Sequence, residues 1–179
     1  MTLDVKRILV LVLCSGLCYP ATALELFGVT LESTTRDELR AAGEQAGLVL
    51  IREGGEDNWF DLYDSAAVLD GSSRFYLGFL KQDQRLAFAE YEFRGFGRKR
   101  LLRDLKTKYG AAEVKVGRFF SDRSYFWQRD GVEIELSTDW QNYRTRLIYR
   151  VPANMSELIA EMSARNKPQK TEGEQVSLY

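Results

Sequence analysis

The sequence predicts an α+β protein built from two tandem units, each a helix followed by a four-stranded antiparallel sheet, with a further helix at the C-terminal end. Two observations lead to this prediction. A helical pattern followed by four short aliphatic and aromatic runs occurs in residues 24–95, and the same order recurs in residues 96–165. The chain is also 45% hydrophobic and 12% aromatic, which is enough for a substantial core.

The first 23 residues have the features of a secretory signal peptide. Lys6 and Arg7 precede an apolar run over residues 8–14, and Ala21-Thr22-Ala23 supplies small residues before a cleavage site. We therefore expect cleavage after Ala23, a periplasmic or secreted bacterial protein, and no transmembrane segment after cleavage. Both cysteines, Cys14 and Cys18, would leave with the signal peptide.

The remaining chain contains neither cysteine nor histidine. It therefore lacks a thiolate nucleophile, the commonest general base and the commonest transition-metal ligands. We assign no catalytic residue, cofactor or metal site, although carboxylates and the side chains of Lys, Tyr, Ser and Thr remain for catalysis. The net charge of −1 gives no sign of nucleic-acid binding, which an exported location also disfavours.

The first unit begins with the helical segment STTRDELRAAGEQAG. Thr35 is the predicted N-cap, Glu38 completes a capping box, and Gly47 ends the helix. Four predicted strands follow: LVLIRE, WFDLYD, RFYLGFLK and RLAFAEYEF.

The second unit begins with GRKRLLRDLKTKYG, a helix that ends at Gly110. The predicted strands are AEVKVGRFF, SYFWQRD, VEIELST and YRTRLIYRV. Alternation predicts that the last two pair with Glu133 and Glu135 opposite Arg146 and Arg150. A third helix would start at Asn154 as its cap, and the polar residues 166–179 are predicted to be a disordered tail.

The basic second helix is the strongest charge feature. Residues 94–108 hold seven basic residues and one acidic residue, Asp104. This helix could bind an acidic protein surface, an anionic lipid or an anionic polymer, or it could present a solvated face opposite its leucines. The candidate binding residues are Arg98, Lys99, Arg100, Arg103, Lys106 and Lys108.

Two groups of acidic residues are candidate sites. The first group comprises Glu53, Glu56, Asp57, Asp61 and Asp64. These residues lack the spacing of a calcium-binding loop, and the segment fits a polar hairpin turn. The second group is Glu90 and Glu92, which would project from one strand face about 7 Å apart. That separation suits the carboxylate pair of a glycosidase, but two such acids on a strand commonly face solvent.

The segment Gly28-Val29-Thr30, followed by the acidic helix start Arg36-Asp37-Glu38-Leu39, resembles the superfamily of SmpA/OmlA outer-membrane lipoproteins and β-lactamase inhibitor proteins. That resemblance implies a role in protein binding or assembly. We therefore expect a non-catalytic module that binds another envelope protein. The alternatives are a carboxylate-based hydrolase of envelope glycans and an anionic-lipid-binding protein that uses the basic helix.

Overall fold

The computed structural model describes residues 23–55, 59–95, 98–117, 123–139 and 141–165. The first elements are β1 (Glu25–Leu26), β2 (Val29–Thr30) and α1 (Arg36–Ala46). Four strands follow: β3 (Val49–Arg52), β4 (Phe60–Asp64), β5 (Ser72–Phe79) and β6 (Leu86–Arg94). The later elements are α2 (Arg98–Tyr109), β7 (Glu113–Val116), β8 (Arg123–Arg129), β9 (Val132–Asp139), β10 (Arg144–Arg150) and α3 (Pro152–Arg165).

The predicted fold class is wrong, because the described strands do not form two separate four-stranded sheets. Eight strands make one antiparallel sheet in the order β3-β4-β5-β6-β10-β9-β8-β7, and the described chain is mostly β. Strands β6 and β10 join the halves along seven residue pairs, from Arg144 with Arg94 to Arg150 with Phe88. Joining these long strands pairs two edges that would otherwise expose backbone hydrogen-bonding groups.

The ends of α1 confirm the local predictions. The Thr35 backbone N–H donates to the Glu38 carboxylate at 2.9 Å, as a capping box requires. Gly47 ends the helix with φ 102°, a left-handed conformation that glycine adopts without strain. The predicted signal peptide, except for Ala23, and the predicted tail lie outside the described residues.

The predicted cap of α3 is wrong. The helix begins at Pro152, whose fixed φ and missing N–H suit a first helical position. Asn154 lies inside the helix and is buried, and its amide donates to the Leu86 carbonyl at 2.8 Å. Its side-chain oxygen accepts from Arg85 at 2.9 Å, so Asn154 fastens α3 to the sheet.

The hairpin of β1 and β2 was not predicted. Phe27 and Gly28 both have positive φ, 56° and 79°, as a tight two-residue hairpin turn requires. The Gly28-Val29-Thr30 segment thus forms the end of a turn and the second strand of a hairpin.

One face of the sheet, called the inner face here, carries the main core. Along β6 it presents Ala89, Tyr91 and Phe93, which belong to one buried cluster with Leu39 of α1 and Leu105 of α2. Burial of these side chains holds the two helices against the sheet.

The opposite side is called the open face. Residues of β6 that alternate with the core, Phe88, Glu90 and Glu92, lie on it. Helix α3 packs at one end, where Leu158 is buried with Leu80 and Ala87. The charged residues of β6, β9 and β10 occupy the rest of this face.

Candidate functional site

The six basic residues predicted as a binding site divide into those used by the fold and those that remain available. Arg98 belongs to the first group. Its Nη1 donates to the Arg123 carbonyl at 3.1 Å and to Thr138 Oγ1 at 3.3 Å, and its guanidinium lies 5.7 Å from the Tyr125 ring. Arg98 therefore ties the start of α2 to the sheet.

Arg100 and Lys108 contact other parts of the surface. Arg100 donates to Asp70 at 2.8 Å, although both side chains are largely exposed. Lys108 lies 5.1 Å from the ring centroid of Tyr109. Exposed contacts of this kind contribute little to stability.

Lys99, Arg103 and Lys106 lie together around a surface depression of about 370 Å³, which Leu102 and Thr107 also line. Their spacing along α2 places them on one helix face. We call these three residues the α2 cation site. In the described part of the chain, no carboxylate lies within 4.0 Å of Lys99 or Lys106, and Arg103 has only Asp104 at 3.5 Å.

The predicted carboxylate pair lies on the open face, but neither carboxylate is free. Arg146 donates to both oxygens of Glu90 at 2.5 Å, and Arg144 donates to Glu92 at 2.7 Å. The side chains of Glu90 and Glu92 are only 12% and 7% exposed, so they do not simply face solvent. The hydrogen bonds from Arg146 to Glu90 raise the pKa of that guanidinium, which stays charged.

The expected Glu–Arg pairing between the last two strands is confirmed at one of its two arginines. Arg150 lies opposite Glu133 and donates to it at 2.9 Å, and it approaches Glu135 at 2.7 Å. Arg146 instead lies opposite Ser137 and pairs with Glu90 across the other neighbouring strand.

Sequence reasoning missed a buried ion cluster centred on Asp61, which is completely inaccessible to solvent. Its carboxylate accepts from Arg36 at 2.5 Å, from Arg40 at 3.1 Å and from the Gly54 N–H at 2.6 Å. Burial disfavours the ionised carboxylate, but these donors outweigh it and hold the pKa of Asp61 below its usual value. The cluster fastens the first turns of α1 to β4.

The rest of the predicted acidic group is dispersed. Glu53 contacts Arg40 at 2.9 Å, and Asp64 accepts from the Ala66 N–H at 2.9 Å. Glu56 and Asp57 lie outside the described residues. Among the described residues, no group of three or more acidic side chains is arranged to hold a metal ion.

A second cavity, which the sequence analysis did not predict, lies on the open face. It has a volume of about 320 Å³. Its lining residues come from five neighbouring strands: Phe60, Tyr76, Phe88, Glu90, Glu92, Asp139, Arg144 and Arg146. The alternation in AEYEF indicated that Glu90 and Glu92 share a face, but not which aromatic residues would lie beside them.

No family model matches the chain, and no curated protein matches it. Among solved structures, the chain is similar to the crystal structure of a DUF4309 family protein, YjgB, from Bacillus subtilis subsp. subtilis str. 168. The identity is 20%, the TM-score is 0.43, and the match covers 69% of this chain and 82% of the other. A likeness of this size carries no argument about function.

Of the three helices within the described residues, none combines the length and the apolar character that crossing a membrane requires.

Proposed function

We propose that this protein is a non-catalytic protein-binding or assembly module of the bacterial cell envelope, exported by its N-terminal signal peptide and cleaved after Ala23. Its binding surface is the α2 cation site, which receives an acidic surface of another envelope protein. One observation carries this proposal: Lys99, Arg103 and Lys106 converge on one depression, where Asp104 is the single neighbouring carboxylate among the residues that the structure describes.

The fold makes little use of this charge: among the described contacts, only Lys106 of the three approaches the sheet, with its Nζ 5.8 Å from the centroid of the Tyr125 ring. Leu105 and Tyr109 dock α2 through the inner face, and both are buried. Like charges at positions i and i+4 cost an isolated helix about 0.2–0.5 kcal/mol per pair, and Lys99 with Arg103 is such a pair. An acidic partner would offset that repulsion.

The non-catalytic part of the proposal follows from how the acidic residues are used. Glu90 and Glu92 are both held by arginines, which leaves neither carboxyl group of this pair free as a proton donor. The glycan hydrolase is therefore the less favoured candidate.

The test compares two double variants of the same helix that change the net charge equally. Lys99→Glu, Lys106→Glu alters the α2 cation site, whereas Arg100→Glu, Lys108→Glu alters basic residues outside it. The first variant leaves the helix stable, because the glutamate introduced at position 99 would be followed by Arg103 at i+4, a favourable pair. Binding of proteins from a bacterial envelope extract is measured for both variants and for the wild type.

The proposal predicts that an acidic protein is retained by the wild type and by the Arg100/Lys108 variant, and is lost from the Lys99/Lys106 variant. Retention should also weaken between 0.1 M and 1 M salt, as the Debye length falls from about 10 Å to about 3 Å. Equal retention by both variants would overturn the proposal. Binding only to anionic lipid vesicles would replace it with the lipid-binding alternative.

A further inference from the structure

We propose that the open-face cavity is a binding site for an uncharged sugar ring, as part of a glycan chain. The cavity lies on the face of the sheet opposite the one that packs against α2, so this inference goes beyond the acidic-protein site and does not depend on it. Three features of the cavity support this inference: an aromatic wall, a polar wall on which Glu90 and Glu92 are each paired with an arginine, and its size.

Aromatic side chains from adjacent strands form one wall. Phe60 and Tyr76 pack edge to face, with ring centroids 5.4 Å apart and an interplanar angle of 72°. Phe88 lies directly over Gly78, where an added Cβ would be 2.1 Å from the Phe88 ring. Gly78 thus lets the Phe88 ring approach the sheet closely, and all three aromatic residues keep partial exposure. Such rings bind the C–H faces of a sugar.

The facing wall is polar, and each of its two arginines is paired with a glutamate. Nε and Nη2 of Arg146 donate to Glu90, and Nη1 of Arg144 donates to Glu92. Among the described contacts, Nη1 of Arg146 and both Nε and Nη2 of Arg144 donate to no protein group. The side chains of Arg144 and Arg146 are 42% and 43% exposed, so these donors can reach a ligand.

Acceptors stand beside these donors. Only the Oε2 atom of Glu92 is engaged within the described structure, by Arg144 and by the Tyr76 hydroxyl at 3.4 Å. Asp139 adds a carboxylate at the rim, and its two oxygens already accept from Gln141 and Asn142 of the following turn. Donors and acceptors that lie in one cavity match sugar hydroxyls, each of which both donates and accepts.

The pairing of charges argues for an uncharged ligand. A strongly anionic ligand would lie beside the three carboxylates of the lining, and a cationic ligand would compete with the arginines for Glu90 and Glu92. Breaking either pair would leave a poorly solvated charge, which is costly. A neutral polyol needs neither pair to break. The volume of about 320 Å³ lies at the small end of ligand pockets and suits a mono- or disaccharide unit.

The experiment uses the purified protein with two uncharged probes, the β-1,4-linked tetramer of N-acetylglucosamine and maltotetraose. Saturation-transfer NMR shows which sugar protons contact the protein, and titration gives the affinity. We expect at least one probe to bind, with the strongest transfer to protons on one ring face. Tyr76→Ala should weaken binding roughly two- to tenfold, the range of an aromatic contact. Arg144→Met should weaken it in the same direction.

Two controls keep the result interpretable. Arg100→Gln, on α2, should bind the probe as the wild type does. The affinity should change by no more than about twofold between 0.1 M and 1 M salt, because no net charge is neutralised. The inference is overturned if neither probe binds at millimolar concentration, if Tyr76→Ala and Arg144→Met bind like the wild type, or if only anionic oligosaccharides bind and do so in a salt-dependent way.

Discussion

Replacing Asp61 by asparagine is the sharpest test of how the first helix is held on the sheet. Asparagine has almost the same volume, so the change removes charge without creating a cavity. In the wild type the carboxylate is completely buried and accepts from Arg36, Arg40 and the Gly54 N–H. After the change, two partly buried guanidiniums lose their shared counter-charge, and the asparagine NH₂ group can donate to neither.

The size of the loss follows from the burial of the partners. Removing one member of a buried ion pair costs about 3–5 kcal/mol. Arg36 and Arg40 keep 20% and 24% exposure, and Arg40 retains Glu53 at 2.9 Å, so both guanidiniums stay partly compensated. We therefore expect the low end, about 3 kcal/mol. For a chain of this size, that corresponds to a decrease in Tm of about 6–12 °C.

The effect depends on pH in a defined direction. The pKa of Asp61 is lower in the folded protein than in the unfolded chain, where a carboxyl group titrates near about 3.9. The stabilisation is therefore fully present above about pH 5 and is lost as the pH falls through the folded pKa. The difference between wild type and Asp61→Asn should be constant from about pH 5 to about pH 8 by this reasoning, and should shrink below about pH 4.

Urea unfolding followed by circular dichroism at pH 7 and pH 3 measures this difference. The matched control is Asp64→Asn, an exposed residue of the same strand, whose unfolding free energy should stay within about 0.5 kcal/mol of the wild type. A loss below about 1 kcal/mol for Asp61→Asn at pH 7, or a loss of equal size at pH 3, would refute the ion-cluster reasoning.

Two further substitutions test single features of the fold, again by urea unfolding. Gly47→Ala should cost about 1–2 kcal/mol, because φ 102° is strained for any residue with a Cβ; an unchanged stability would show that α1 does not end in this conformation. Asn154→Ala should cost about 1–3 kcal/mol, because the Leu86 carbonyl and Arg85 lose their partner. Ser156→Ala, on the exposed side of α3, serves as its control, and an equal effect of the two changes would contradict the role given to Asn154.

Local signals in the sequence predicted the local structure of α1 correctly. The Thr35–Glu38 capping box and the stop at Gly47 depend on residues close together in the chain, and both are confirmed. The position of Asn154 shows the limit of such signals. Asn154 has the side chain of a good cap, but its partners Leu86 and Arg85 are almost seventy residues away, and tertiary contacts decide its place.

The prediction of the fold class was wrong for a related reason. Each half of the sequence shows its own helix and strands, but whether two sheets stay separate depends on how β6 meets β10, a pairing between residues fifty or more positions apart. Alternation within a strand does not specify its neighbour. The same reason explains why Glu90 and Glu92 were identified as a pair while their arginine partners on β10 were not.

The candidate site was predicted only in part. Composition alone indicated α2 as a candidate binding site. It does not show which of the six basic residues face the sheet and which remain available to a partner. The contacts of Arg98 with Arg123 and Thr138 come from another part of the chain and remove it from the binding surface. The aromatic wall of the open-face cavity was missed because its residues are spread over three strands.

Site-specific photo-cross-linking from the α2 cation site shows whether a protein partner contacts this surface. A photoreactive residue at Thr107, which lines the depression, is compared with one at Ile159, which is 51% exposed on α3. In bacterial cells that export the protein, we expect an adduct with an acidic envelope protein from position 107 and none from position 159. That adduct should disappear when Lys99→Glu and Lys106→Glu are added. No adduct from position 107, or an adduct that survives both charge reversals, would show that the α2 cation site does not bind an acidic protein.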